Sequence, residues 1–150
     1  MFMFIHALLG AIIGINFNSL TIIIALAVLS HFLLDMIPHW DGPFDKEFFY
    51  LFGELKAKKS RVFLAVFDLI ITIFLIMELS VRFDSLQVII GSLASITPDL
   101  IGIFYFTNIK NRRRYMKYLK FHSKIQKDAT WKIGLAIQII ATIIFAKILF

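Results

Sequence analysis

Five long apolar runs, separated by short polar stretches, limit what this chain can fold into. They extend from about Phe2 to Ile15, Leu20 to Ile37, Val62 to about Leu79, Leu86 to Phe106, and Trp131 to the end of the sequence. Most are the size of a membrane crossing, although the first, at about 1.5 Å per residue, barely spans a hydrocarbon core. Lipid offers no hydrogen bonds, so the backbone of such runs must pair internally. The runs lack the alternation of barrel strands, which leaves helices as the economical solution. Hydrophobic residues make up 59% of the 150 residues, too many for an ordinary water-soluble domain. The expected fold is therefore all-α: a polytopic transmembrane helix bundle forming one integral-membrane domain over residues 1–150, with about five membrane helices. The stretch FDKEFFYLFGELKAKKSR, between the second and third runs, mixes aromatics with charges in the manner of one interfacial helix. The first run lacks a basic n-region and a small-residue cleavage site, so it reads as a retained helix, not a signal peptide. With no cysteine there is no disulfide framework, thiolate metal site or cysteine nucleophile.

The charge distribution supports the count of five. If successive connections alternate sides, the N-terminus, the 39–61 connection and the 108–130 connection share one face. That face carries Lys46, Lys56, Lys58, Lys59, Arg61, Lys110, Arg112, Arg113, Arg114, Lys117, Lys120, Lys124, Lys127 and Lys132, fourteen of the sixteen basic residues. Only Arg82 and Lys147 fall on the other side. The positive-inside rule makes the basic face cytoplasmic, which places the protein in the cell membrane with its N-terminus inside. The net charge of +6 thus reads as a topology signal and a surface for membrane lipids and their anionic headgroups, not as a nucleic-acid site. Oligomeric state is not legible.

Within this topology the histidines and several aspartates gather at one depth. His6 is early in the first helix. His31 and Asp35 are late in the second, and His39 and Asp41 lie just past its end. Asp68 is about two turns into the third helix, Asp99 is late in the fourth, and His122 is in the basic connection. All fall near the cytoplasmic face. His31, Asp35 and His39 are spaced i, i+4, i+8, one narrow stripe if the helix continues through Pro38. Imidazole nitrogens and carboxylate oxygens suit a divalent cation, zinc first, with manganese or iron as alternatives. Such a cation would compensate carboxylates that are otherwise expensive at membrane depth. Gly10 and Gly14 share the His6 face and would let the first helix approach a neighbour closely, the second helix being the expected one. Pro98, in TPD, falls inside the fourth helix, where it frees a backbone carbonyl and can kink the helix; such breaks are tolerated where they line a cavity. Taken singly, each polar residue has a plainer reading. Asp68 also suits a packing hydrogen bond, His39 and Asp41 a helix-end turn, His6 a snorkelling side chain, and His122 a solvated one.

The motifs HALLG (6–10), SHFLLDMIPHWD (30–41), TPDLIG (97–102) and FHSKIQ (121–126) together resemble the small inner-membrane proteins known as predicted membrane-bound metal-dependent hydrolases. The resemblance covers most of the chain in order. It implies a helical membrane bundle with a His/Asp metal centre, and carries over His6, His31, Asp35, His39, Asp99 and His122 as candidates. Many members have an Asp-x-Asp-His form of the Pro-Asp motif; Leu100 and Ile101 stand here instead, which speaks against a second metal. A more distant similarity is to zinc-dependent phospholipase C and nuclease folds.

The expected function is a membrane-embedded hydrolase acting on a phosphoester or lipid-linked substrate at the cytoplasmic face. His6, His31, Asp35, His39 and Asp99 would ligate metal. Asp41 or Asp68 would orient a ligand or act as general base, and His122 would be a ligand or proton donor. The alternatives are a small ion or proton transporter, and a non-catalytic scaffold with a structural metal.

Overall fold

The computed structural model describes residues 1–40, 59–107 and 112–150. Among them every regular element is a helix: α1 Met3–Asn16, α2 Leu20–Asp35, α3 Lys59–Phe83, α4 Leu86–Thr107, α5 Arg112–Ile125 and α6 Trp131–Leu149. The helical bundle expected from the apolar runs is present. The interfacial helix expected between the second and third runs lies outside the described residues.

Local chemistry explains the boundaries. Phe17 and Ser19 are extended, and the short polar link they flank turns α1 into α2. α2 ends at Asp35, short of Pro38, because a residue before proline is pushed out of the helical region. The helix ends before Pro38, so the stripe that required it to continue as far as His39 does not form along α2. Asp84, with a φ of 42°, makes the tight link from α3 to α4, a backbone region that Asp tolerates better than most residues. Pro98 is accommodated inside α4. Residues 112–125, expected as a basic connection, form α5.

α1 is the centre of the molecule. It packs against α2, α3, α4 and α6, most extensively against α4. Its buried residues, Met3, Ile5, His6, Ala7, Leu8, Gly10, Ala11 and Gly14, cover more than one face, as a helix enclosed by others requires. The glycine face of α1 meets α4, not α2 as expected. A Cβ on Gly10 would collide with the Gly91 carbonyl, and one on Gly14 with the backbone of Gln87 and Val88. This close approach lets Ser92 Oγ donate to the Ala7 carbonyl at 3.1 Å and Ser95 Oγ to the His6 carbonyl at 2.7 Å. Small and hydroxylated residues hold apolar helices together in this way, because apolar packing alone gives no advantage over lipid.

The outer helices show their apolar faces outward. Phe74 is 71% and Val81 83% exposed on α3, and Ile139, Ile140 and Ile144 are exposed on α6. Two helical stretches, Phe63–Phe83 and Trp131–Leu149, are long and apolar enough to cross a membrane. α1 and α2, at 14 and 16 residues, are shorter than the about 20 residues a crossing needs, as is the described apolar part of α4, Leu86–Ile101. Two spans, not five, are supported by length alone.

Candidate metal centre

Four helices and one connection deliver histidines and carboxylates to a single point. His6 comes from α1, His31 and Asp35 from α2, Asp99 from α4 and His122 from α5. His39 follows the end of α2. The backbone ties the pieces together. Lys127 N donates to the Asp35 carbonyl at 3.1 Å, His39 N to the Lys127 carbonyl at 3.1 Å, and Ala129 N to the His39 carbonyl at 2.9 Å. These bonds pin the connection after α5 along the segment leaving α2, with His39 and Asp128 paired in a short parallel bridge.

Asp35 is the hub, with its carboxylate fully buried. Its Oδ2 lies 3.4 Å from His31 Nε2, 3.3 Å from His122 Nε2 and 3.5 Å from Gln126 Nε2. Its Oδ1 lies 3.3 Å from His6 Nε2 and 3.8 Å from His39 Nε2, and accepts from the α-amino group of Met1 at 3.0 Å. His39 thus reaches Asp35 although the helix does not carry it there.

The ring orientations matter more than the distances. His31 Nδ1 is 2.8 Å from the Ser95 carbonyl, and His39 Nδ1 is 2.7 Å from the Ile37 carbonyl. A carbonyl only accepts, so each Nδ1 carries the proton and each Nε2 presents a lone pair to the cluster. The Ser95 carbonyl is one turn before Asp99, on the N-terminal side of Pro98, which α4 carries without a break. His31 Nε2 and His122 Nε2 are 3.0 Å apart. With the proton of His31 held on Nδ1, the two nitrogens need either a proton from His122 or a cation between them. His6 is 1% exposed and neither ring nitrogen has a hydrogen-bond partner. Its Nε2 is near Asp35 Oδ1 but misaligned for a hydrogen bond. An orphaned imidazole buried beside carboxylates fits a place for a cation.

Among the described residues, two overlapping groups have donor atoms close enough to share an ion: His31, Asp35 and His122, and His6, His31 and Asp99. In the first, the three edges are 3.0, 3.3 and 3.4 Å. Tetrahedral ligands at about 2.0–2.1 Å from a zinc ion are about 3.3–3.4 Å apart, so this triangle is close to one face of such a site. Asp99 Oδ1 stands beyond it, 3.7 Å from His31 Nε2 and 3.9 Å from His122 Nε2. Asp99 and His122 also form the accessible rim: their side chains are 23% and 12% exposed, against 0% for those of His6 and His31.

Asp68 is placed differently. Its Oδ2 accepts from Met3 N at 2.8 Å and its Oδ1 from Phe4 N at 3.3 Å. It caps α1 from a neighbouring helix, filling two of the amide positions that a helix start leaves open. Asp41 lies outside the described residues.

Three contributors were not singled out from the sequence. Gln126 approaches Asp35. Tyr118 donates its hydroxyl to the Pro98 carbonyl at 2.6 Å and stacks on His122 at 5.8 Å between centroids. Burial, reinforced by nearby Asp99 and Asp35, pushes this phenol well above its ordinary range, so it stays a donor. Gln138, buried in α6, accepts from Phe2 N at 3.1 Å and donates to the Trp40 carbonyl at 2.8 Å. Gln126 and Tyr118 were detectable as one-turn neighbours of His122, and Gln138 as a lone amide in an apolar run.

No family model, curated protein or solved structure matches this chain.

Proposed function

We propose that this protein is a membrane-embedded, metal-dependent hydrolase of phosphoester or lipid-linked bonds. The observation that carries the reading is the triangle of His31 Nε2, His122 Nε2 and Asp35 Oδ2, with edges near those of a tetrahedral ligand face. The metal would be held by these three, with Asp99 and His6 beside them, and zinc is the first choice for such a nitrogen and oxygen donor set. A bound divalent ion supplies Lewis acidity toward the scissile group and lowers the pKa of water.

The chain's own residues then have separable tasks. The carbonyls of Ser95 and Ile37 hold His31 and His39 in the tautomer that exposes Nε2. Hydrogen bonds of this kind orient metal-binding imidazoles and increase their basicity. Asp99, partly exposed at the rim, is the carboxylate that an incoming substrate meets first, and it suits the role of proton acceptor. Asp68 is a positioning residue: it anchors the start of α1, which carries His6. The accessible rim favours catalysis over a purely structural ion, since structural sites are closed and catalytic ones keep a position open. The apolar outer faces of α3 and α6, together with the basic residues gathered on one side, support a cell-membrane location with the site at the cytoplasmic surface. The five-span topology and the motif resemblance belong to the same reading.

Elemental analysis of detergent-purified protein, beside His31→Ala and Asp35→Ala, tests it. About one equivalent of zinc, manganese or iron in the wild type, lost in both variants, supports the centre. Release of phosphate or headgroup from lipid phosphoesters would then establish the activity. A folded wild type that stays metal-free after loading with divalent ions overturns the proposal.

A further inference from the structure

α5 contributes to the candidate metal centre, and its described side chains lie at the surface of the bundle. On one side, Tyr118 and His122, one turn apart, reach the Pro98 carbonyl and His31. On the other, Lys117, Lys120 and Lys124 are exposed, with Phe121 among them 55% exposed. None of the described side chains of α5 is buried; Ile125 is half-buried. Among these described residues the helix shows no buried apolar stripe of the kind that normally stabilises a surface helix. Lysines three and four residues apart also repel one another. Among the described residues, the Tyr118 and Gln126 hydrogen bonds, the backbone ties at 127–129 and the edge contacts of Phe121 and His122 with the Phe32 ring dock α5.

The exposed lysine face has a defined chemical complement. The chain passes from α5 into α6, a helix of membrane-crossing length that opens with Trp131 and Lys132, residues typical of the headgroup level. A helix at that level with a lysine face and an exposed phenylalanine complements an anionic bilayer surface. We infer that anionic phospholipid headgroups bind the Lys117, Lys120 and Lys124 face of α5, and that this docking presents His122 to the metal centre, so that lipid and metal strengthen each other's binding. The inference rests on the metal-centre reading above. Each lysine near an anionic surface contributes roughly fivefold in affinity, so three give a ceiling of about 100-fold. The effect of lipid on metal affinity equals the effect of metal on lipid affinity, because the coupling is reciprocal.

The test uses full-length protein in nanodiscs of pure phosphatidylcholine or of phosphatidylcholine with phosphatidylglycerol. Affinity is measured for Zn²⁺ and for Mn²⁺ by competition with a chelating dye. Amide hydrogen exchange over residues 117–125 is followed in metal-free protein. The expected result is at least tenfold tighter metal binding and slower exchange in the anionic discs. In the triple variant Lys117→Gln/Lys120→Gln/Lys124→Gln both differences disappear. Divalent ions also concentrate near any anionic surface, but that enrichment acts equally on wild type and variant. A lipid effect that survives in the variant therefore overturns the inference. Metal binding of equal strength in both discs, with unchanged exchange, also overturns it while leaving the metal centre standing. Absence of metal binding in both discs refutes the metal centre. The exchange comparison then decides whether α5 docks on anionic lipid by itself.

Discussion

Asp35 closes α2 and Asp68 lies inside α3. Both are buried, and both sit in helices composed mostly of apolar residues. Their surroundings differ in kind. Asp35 faces four imidazoles and the Gln126 amide, together with the α-amino group of Met1. Asp68 faces backbone, the first amides of α1. Positive charge already gathers at Asp35 in the Met1 amino group, and the imidazole nitrogens beside it suit a metal ion. A carboxylate accepting two backbone N–H groups is already satisfied and holds a helix in place. Two buried residues of the same type thus differ in what the neighbouring elements turn toward the carboxylate.

The largest expected effect separates the two acids outright. Asp35→Ala should abolish metal binding at micromolar protein while circular dichroism still reports a helical bundle. Asp68→Ala should leave metal stoichiometry unchanged. If instead Asp68→Ala strips the metal and Asp35→Ala keeps it, the assignment of roles is reversed.

Next in size is a substitution that moves α1 without touching either acid. Gly91→Ala would place a methyl group against the Gly10 carbonyl, and the clash is with backbone, which cannot swing aside. Overpacking of this kind costs about 3 kcal/mol. Thermal unfolding in detergent should show the loss, and metal affinity should fall with it, because His6 and Asp99 sit on the two helices forced apart.

Asp68→Ala should then lower stability by about 1–3 kcal/mol, since two amides of α1 lose their acceptor in an apolar setting. Asp68→Asn keeps one carbonyl oxygen and should recover part of that loss. Equal unfolding temperatures for wild type and Asp68→Ala would show that the cap contributes nothing.

The smallest change probes the rim. Tyr118→Phe removes one hydrogen bond to Pro98, worth about 1 kcal/mol. It should loosen His122 and weaken metal affinity by at most about tenfold, without changing stoichiometry. An affinity identical to wild type would show that His122 is held by the 127–129 backbone ties alone.

Several of these features were legible in the chain. Helical runs follow from apolar length, because lipid-facing or buried backbone must satisfy itself. The His31–Asp35 pairing follows from helical spacing, since residues four apart share a face. The gathering of His6, Asp99 and His122 near one depth followed from counting residues along alternating helices. Other features were not legible. The i+8 place of His39 failed as a helical position because Pro38 ends the helix, and its arrival beside Asp35 depends on backbone bonds to residues 127–129. Gly10 and Gly14 announced a close contact but not its partner, and α4, with its own Gly91, takes the place expected for α2. The cap that Asp68 provides was invisible because its partners are amides, which every residue possesses. Helix α5 was obscured by its charge: basic residues mark topology whether or not they are helical.

The sequence by itself determined the number and extent of the apolar runs, the residue types available for a site, and the spacing that puts His31 and Asp35 on one helix face. These are consequences of hydropathy and of spacing along one helix, both local. The tertiary structure decided which acid meets imidazoles and which meets backbone, which histidine tautomers face the cluster, and that α5 brings His122 within 3.0 Å of His31. Those outcomes depend on contacts between residues far apart in the chain, and no local pattern encodes the rotation of one helix against another.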